Sequence, residues 1–204
     1  RTAPTRSTPS GGRRCGHRGG ARDTPGHLPA APSGGGRPGG AVRRSGSTRG
    51  DGVGVTGALG RSGAGLEAFA ADDVGRGNDL FRFPPRVGAG VALAPHATAM
   101  MDSSDGLARS LHQLAEASGV GFEVDRAAVP VHDAVADYAA GEADRWAMAT
   151  TVRDDFELVR TLRAAAVAAA RGAPGADPHV IGEVTDGGVR VDGEPLADEG
   201  YAHG

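Results

Sequence analysis

The chain has 204 residues, with 35 Gly, 13 Pro, 25 acids and 22 basic residues that are all Arg, for a formal net charge of −3. That mean hides two unlike pieces. Residues 1–40 carry 7 Arg, one acid and Leu28 as their single large apolar side chain, whereas residues 41–204 carry 15 Arg, 24 acids and nearly all the Val, Leu and Phe. An acidic body argues against general nucleic-acid binding, which needs cations against phosphates. No run of 18 apolar residues offers a membrane span, and the Arg-rich start lacks the apolar stretch of a secretory signal. Cys15 is the single cysteine and has no internal disulfide partner, which fits a reducing, cytoplasmic setting.

Residues 1–40 cannot offset the entropy of ordering a chain and are expected to be disordered. Cys15, His17 and His27 match no zinc spacing, and an Arg/Gly tail for RNA would need interleaved aromatics to stack bases. Out-of-frame translation of GC-rich DNA yields this Arg/Gly/Pro/Ser mixture without hydrophobic period, and that reading is favoured. Because the chain opens on Arg1 rather than Met, it is expected to be a fragment, with residues 41–204 as its folded domain.

From residue 41 the pattern is that of a packed domain. Arg44 to Asp51 reads as a turn-rich loop. Gly52 to Thr56 alternates as a strand, and Ser62 to Ala70 is a helix whose small first residues permit close backbone approach. Phe83-Pro84-Pro85-Arg86 opens another helix with Val87, Val91 and Ala94 on one side. Thr98 to Met101 is expected as a buried strand. It turns through Asp102-Ser103-Ser104-Asp105-Gly106 into a helix ending at Ser118, with Leu107, Leu111, Leu114 and Ala115 on one face and Gly119 beyond its end. Val120 to Asp125 alternates as a strand, Pro130 to Tyr138 is weakly helical, and Ala143 to Ala149 is a further helical stretch. Phe156 to Val159 fits strand or helix, running on toward Ala164–Arg171. His179 to Val184 and Val189 to Val191 flank Asp186-Gly187-Gly188 and predict a hairpin. The expected fold class is α+β, a mixed sheet with helices packed on it and a β-hairpin at its end.

Asp102-Ser103-Ser104-Asp105 puts two carboxylates and two hydroxyls on a strand-to-helix turn. Carboxylate oxygens there suit Mg²⁺, a hard ion that shares its remaining positions with water and phosphate, and the helix N-terminus behind them suits phosphate. The competing local reading is helix capping, which Asp and Ser do commonly.

Thr98 to Leu107 with Ala115-Glu116-Ala117-Ser118-Gly119-Val120-Gly121 resembles the second domain of the thiamine-monophosphate kinases, in the wider group of aminoimidazole-ribonucleotide synthetase-like enzymes. The resemblance runs in order along residues 41–204. It includes Arg44-Ser45-Gly46 through Gly50-Asp51, Val55 to Gly60 with Ala64-Gly65-Leu66, Pro85-Arg86, Asp154-Asp155-Phe156-Glu157-Leu158, Ile181 to Val184 and Gly200 to His203. It implies ATP-dependent phosphorylation of thiamine monophosphate to thiamine diphosphate. In that reading Asp102 and Asp105 hold Mg²⁺, Arg44 and Ser104 contact ATP, and one acid of the pair Asp154 and Asp155, together with Tyr201, contacts thiamine monophosphate. The acceptor is a phosphate already largely dianionic, so no side chain is assigned as base or nucleophile, and cations do the work by neutralising charge.

The chain also departs from that pattern. The family's first domain, with further acids and the main homodimer interface, has no counterpart in residues 1–40, where Asp23 is the single acid. Val152-Arg153 stands where two glycines are usual, and Ala202 replaces a common acid. The chain alone is therefore expected to have little kinase activity. A selenophosphate synthetase-like, hydrogenase-maturation or purine-biosynthetic relative is the alternative within the group, and a non-catalytic acidic module is the alternative outside it.

Overall fold

The structure, a computed structural model, describes residues 41–170 and 179–200; the expectations for residues 1–40 and for Tyr201 lie outside them. Among the described residues one mixed sheet has the order β2-β4-β1-β5-β3-β6-β7. Its strands are β1 (Gly52–Val55), β2 (Ala97–Asp102), β3 (Gly121–Val124), β4 (Leu158–Leu162), β5 (His179–Thr185), β6 (Val189–Val191) and β7 (Glu194–Pro195). Neighbours are antiparallel except β3 and β6, which run parallel.

The helices are α1 (Arg61–Ala70), α2 (Val74–Leu80), α3 (Val87–Leu93), α4 (Leu107–Ser118), α5 (Glu142–Thr150) and α6 (Ala164–Ala170). The weakly helical stretch after Pro130 forms a 3-10 helix, Asp133–Asp137. Leu107, Leu111 and Leu114 of α4 are buried against Val53, Val55, Met101, Phe122, Val159 and Ile181 from one sheet face. Each such Leu contributes about 1.5–3 kcal/mol. Gly119 closes the helix with φ 68, in the left-handed conformation expected there. The close approach allowed by the small residues of α1 is taken up by α5: a Cβ on Gly63 would lie 3.1 Å from Met148 Cβ.

Several sequence expectations change in detail. The runs around Asp186-Gly187-Gly188 are both strands, but they do not pair with each other, because β3 lies between β5 and β6. Alternation identifies a strand and leaves its partner open. Here Phe122 and Val124 of β3, both fully buried, take the central place against the core. The hairpin that does end the fold joins β6 to β7 through Asp192 (φ 51) and Gly193 (φ 83), the pair of positive φ values a two-residue primed turn requires.

β2 is an edge strand rather than an interior one, and its outer side is partly covered where Met100 N donates to Arg43 O at 2.9 Å. On α3 the buried residues are Ala89 and Leu93, while Val87 and Val91 are 75% and 63% exposed. The helix α2 was not legible, since Val-Gly-Arg-Gly-Asn-Asp-Leu has two glycines and no apolar period. It forms through the Asp73 cap, whose Oδ1 accepts from Arg76 N at 3.0 Å, and through Leu80 packed with Ala64 and Ala68 of α1.

Arg160, on β4, is fully buried on the face shared with Gly54 and Met100, and none of its guanidinium nitrogens has an acceptor among the described residues. Burial pushes its pKa down to about 10, so it stays charged at neutral pH. That charge costs the folded state about 3 kcal/mol, and the cost fades only as pH climbs above about 10 toward the ordinary arginine range. Replacing Arg160 by Met should therefore raise stability at pH 7 by about 1–3 kcal/mol in urea denaturation; a lower unfolding midpoint would contradict this account of Arg160.

Candidate functional site

The turn from β2 into α4 is clasped to the loop between α5 and β4. Ser103 N donates to Glu157 O at 2.8 Å, and Glu157 N donates back to Ser103 Oγ at 3.0 Å. One residue further out, Asp154 N donates to Ser104 O at 3.0 Å. Gly106 has φ 95, and a Cβ there would meet Thr150 O at 2.9 Å, so only glycine lets the turn abut the end of α5. These contacts set Asp154 beside Ser104 of the turn, although Asp154 lies some fifty positions downstream of it in the sequence.

The N-cap of α4 is Gly106, which brings no side chain to cap the helix. The Asp102 carboxylate and the Ser104 hydroxyl have no partner among the described residues, while Asp105 Oδ2 accepts from Gln113 Nε2 at 3.5 Å. An uncapped helix start offers backbone N–H groups and the positive end of the helix dipole to an anion.

The two acids of Asp154-Asp155 have separate situations. Asp155 is buried and accepts from Gly60 N (2.6 Å), Ser62 N (2.9 Å) and Ser62 Oγ (3.0 Å), so both of its oxygens are used at the start of α1. Burial holds its carboxyl above the usual range, with the Ser62 and Gly60 hydrogen bonds opposing that shift. Asp154 faces outward with φ 73 and lies 3.3 Å from Arg153 Nε. Glu157 is buried next to them. Its carboxylate takes two bonds from Arg86 (2.8 and 2.6 Å) and one from Thr56 Oγ1 (2.6 Å). Sequence reading noted Arg86 and Glu157 separately and missed that they form one bidentate pair.

Of the other expected contacts, Arg44 is exposed, and its carbonyl accepts from Ser118 Oγ at 3.4 Å, at the end of α4 away from the turn. Tyr201 lies outside the described residues. The residue before it, Gly200, packs on the turn, where a Cβ would lie within contact of Asp105 O and 2.8 Å from Arg109 Cβ. The approach of that segment is held by Arg109–Asp198 (2.6 Å) and by His112 Nε2 with Leu196 O (2.9 Å).

A groove of ≈ 530 Å³ opens beside Asp102, between α3 and the β2–β4 edge, with Arg86 and Phe156 on its walls. Asp102 and Asp105 are hard oxygen donors, the type Mg²⁺ takes. No group of three or more His, Cys, Asp or Glu among the described residues could hold a metal ion. The donor set thus fits an ion that completes its shell with water and phosphate oxygens rather than one caged by protein.

Residues 38–193 match the family model described as AIR synthase related protein, C-terminal domain. The chain belongs to that family. Among curated proteins it is 52% identical over 164 residues to the thiamine-monophosphate kinase of Halobacterium salinarum, covering 79% of this chain and 56% of that protein. The corresponding figures for the enzyme of Salmonella typhimurium are 36% over 146 residues, 67% and 42%. Among solved structures, AaThiL complexed with AMPPCP and TMP has a TM-score of 0.69 at 30% identity, covering 79% of this chain and 54% of that one. The Escherichia coli hydrogenase maturation protein HypE shares the fold, with a TM-score of 0.58 at 24% identity. The chain spans about half the length of the curated relatives it matches.

The different settings of the acid pair lead to opposite outcomes on substitution. Asp155→Ala should cost about 1–3 kcal/mol, because it strands buried N–H donors at the start of α1. Asp154→Asn, a residue that tolerates positive φ, should change stability by no more than about 0.5 kcal/mol. Urea unfolding of both variants checks this, and equal losses would contradict it.

Proposed function

We propose that this chain carries the C-terminal part of the site of a thiamine-monophosphate kinase, which transfers the γ-phosphoryl group of ATP to thiamine monophosphate and so makes thiamine diphosphate. The observation that carries this reading is the turn Asp102–Asp105 at a helix start whose N-cap is Gly106, with Asp102 lacking a partner among the described residues. A turn built only to begin a helix would place Asp or Ser at the N-cap, where this chain has Gly106.

In this reading Asp102 and Asp105 hold Mg²⁺ and Ser104 contacts the ATP phosphates, while Arg44, whose backbone lies at the far end of α4, would meet ATP away from the turn. Of the acid pair, Asp154 reaches the thiamine phosphate, since the Asp155 oxygens are occupied at α1. Tyr201 is proposed against a ring of the same substrate, because Gly200 already lies on the turn. Mg²⁺ supplies charge neutralisation between two anionic phosphates. The residues of this chain bind and orient, and none is assigned as a general base. The complete site is a homodimer's, with further acids from a domain outside this sequence, and the setting is the cytoplasm. No described helix is long and apolar enough to cross a membrane.

Calorimetry with AMPPCP and Mg²⁺ tests the reading. The chain should bind the complex saturably, and Asp102→Asn or Asp105→Asn should weaken binding about tenfold or more, as expected for loss of a charge-assisted contact. Unchanged affinity in both variants would contradict the assignment. Turnover of ATP and thiamine monophosphate by the chain alone should be slight, and robust formation of thiamine diphosphate would show that no further domain is required.

A further inference from the structure

Past β7 the chain turns back and runs along the outer side of α4 toward the start of that helix. Leu196 anchors this strap: its N donates to Val189 O at 2.9 Å, its side chain packs on the main core, and its O lies 2.9 Å from His112 Nε2. Two residues on, Asp198 Oδ2 accepts from Arg109 Nη1 at 2.6 Å. Gly200 then packs on the Asp105 backbone and on Arg109 Cβ. The contacts step from His112 to Arg109 to Asp105, each nearer the Asp102–Asp105 turn.

Burial does not explain this placement. Ala197, Asp198, Glu199 and Gly200 are all exposed, so beyond Leu196 the strap gains little hydrophobic stabilisation to set against the entropy of ordering it. Charge opposes it too. Asp198 and Glu199 approach a turn that already carries Asp102 and Asp105, and like charges repel. Arg109 supplies the countercharge, paired with Asp198. Gly200 completes the seat, with φ 150 and no room for a Cβ against Asp105 O. An acidic segment held at the surface by one ion pair and one glycine is ordered for where its end is delivered, not for what it packs.

We infer that Arg109 is a positioning residue. With Gly200 it seats the C-terminal end of the chain on the turn, and through that end it sets the affinity for thiamine monophosphate while leaving that for the nucleotide unchanged. This role rests on the proposed meeting of Tyr201, the residue after Gly200, with thiamine monophosphate. It adds what places the tyrosine and which of the two ligands depends on the placing.

The test uses the full 204-residue chain. Arg109→Gln and Asp198→Asn each remove the pair and alter only part-exposed side chains. Arg109→Lys keeps the charge, and Gly200→Ala pushes the end off the turn. Calorimetry in Mg²⁺ compares thiamine monophosphate with AMPPCP. Arg109→Gln and Asp198→Asn should each weaken thiamine monophosphate binding about three- to fivefold, the scale of one surface ion pair. The double variant should weaken it no further, since both changes break a single contact. Gly200→Ala should weaken it at least as much, Arg109→Lys should restore it to within about twofold, and AMPPCP affinity should stay the same throughout. A residue that served only the stability of α4 would move both ligands together.

Unaltered thiamine monophosphate affinity in Arg109→Gln and Asp198→Asn would overturn the positioning role while leaving the kinase reading standing. Weakening of AMPPCP to the same degree would make Arg109 part of the phosphate site or of the fold, and would also overturn it. If the unsubstituted chain binds AMPPCP but not thiamine monophosphate, the seated end does not serve that substrate, and the positioning role fails alone. If it binds neither, the kinase reading fails and the positioning role fails with it.

Discussion

The reciprocal bonds between Ser103 and Glu157 hold the site together. Through them the strand-to-helix turn and the acidic loop, separated by more than fifty residues of sequence, become one unit. Ser103 is fully buried and Glu157 nearly so, and a hydrogen bond out of water leaves an expensive orphan when one partner is lost. Glu157 extends the clasp through its side chain to Thr56 after β1 and to Arg86 before α3. Four segments therefore meet at this one residue. The position of Asp102, the entry to α4, the groove wall and the Asp154 loop all depend on it.

The acids divide by burial. Asp155 and Glu157 lie inside, and their oxygens are spent on backbone amides, hydroxyls and one guanidinium. Asp102 and Asp154 lie toward solvent, on segments that the buried acids fix in place. A metal-bound phosphate needs carboxylates that remain available and a helix start whose N–H groups are not already used. At this turn Asp102 has no partner among the described residues, and Gly106 rather than Asp or Ser occupies the cap.

What could be read before the structure was the local pattern. The α4 face Leu107–Leu111–Leu114, the Gly119 stop and the strands at Val53, Phe122 and Ile181 follow from period and turn chemistry, and all appear in the fold. The motif acids at 102, 105, 154 and 155 were also visible, yet their chemistry was not. Nothing in Asp154-Asp155 says that the second acid is consumed by α1, because Gly60 and Ser62 approach it only in three dimensions. Strand partners were equally hidden: the insertion of β3 between β5 and β6 is decided by where Phe122 is buried, not by the Asp-Gly-Gly turn. The groove escaped notice for a related reason, since Val87 and Val91 look like a core stripe on α3 while Ala89 and Leu93 make the packing contact.

The central claim is that the Asp102–Asp105 turn binds a metal–phosphate complex at the open start of α4. Paramagnetic NMR on the isotope-labelled chain tests it most directly, with Mn²⁺ in place of Mg²⁺ and AMPPCP as the nucleotide. The account predicts selective broadening of the amides from Asp102 to Arg109 and of Asp154. Broadening centred instead on the acidic hollow at Glu123, Glu183 and Asp192, or none beyond that from Mn²⁺ without nucleotide, would contradict it.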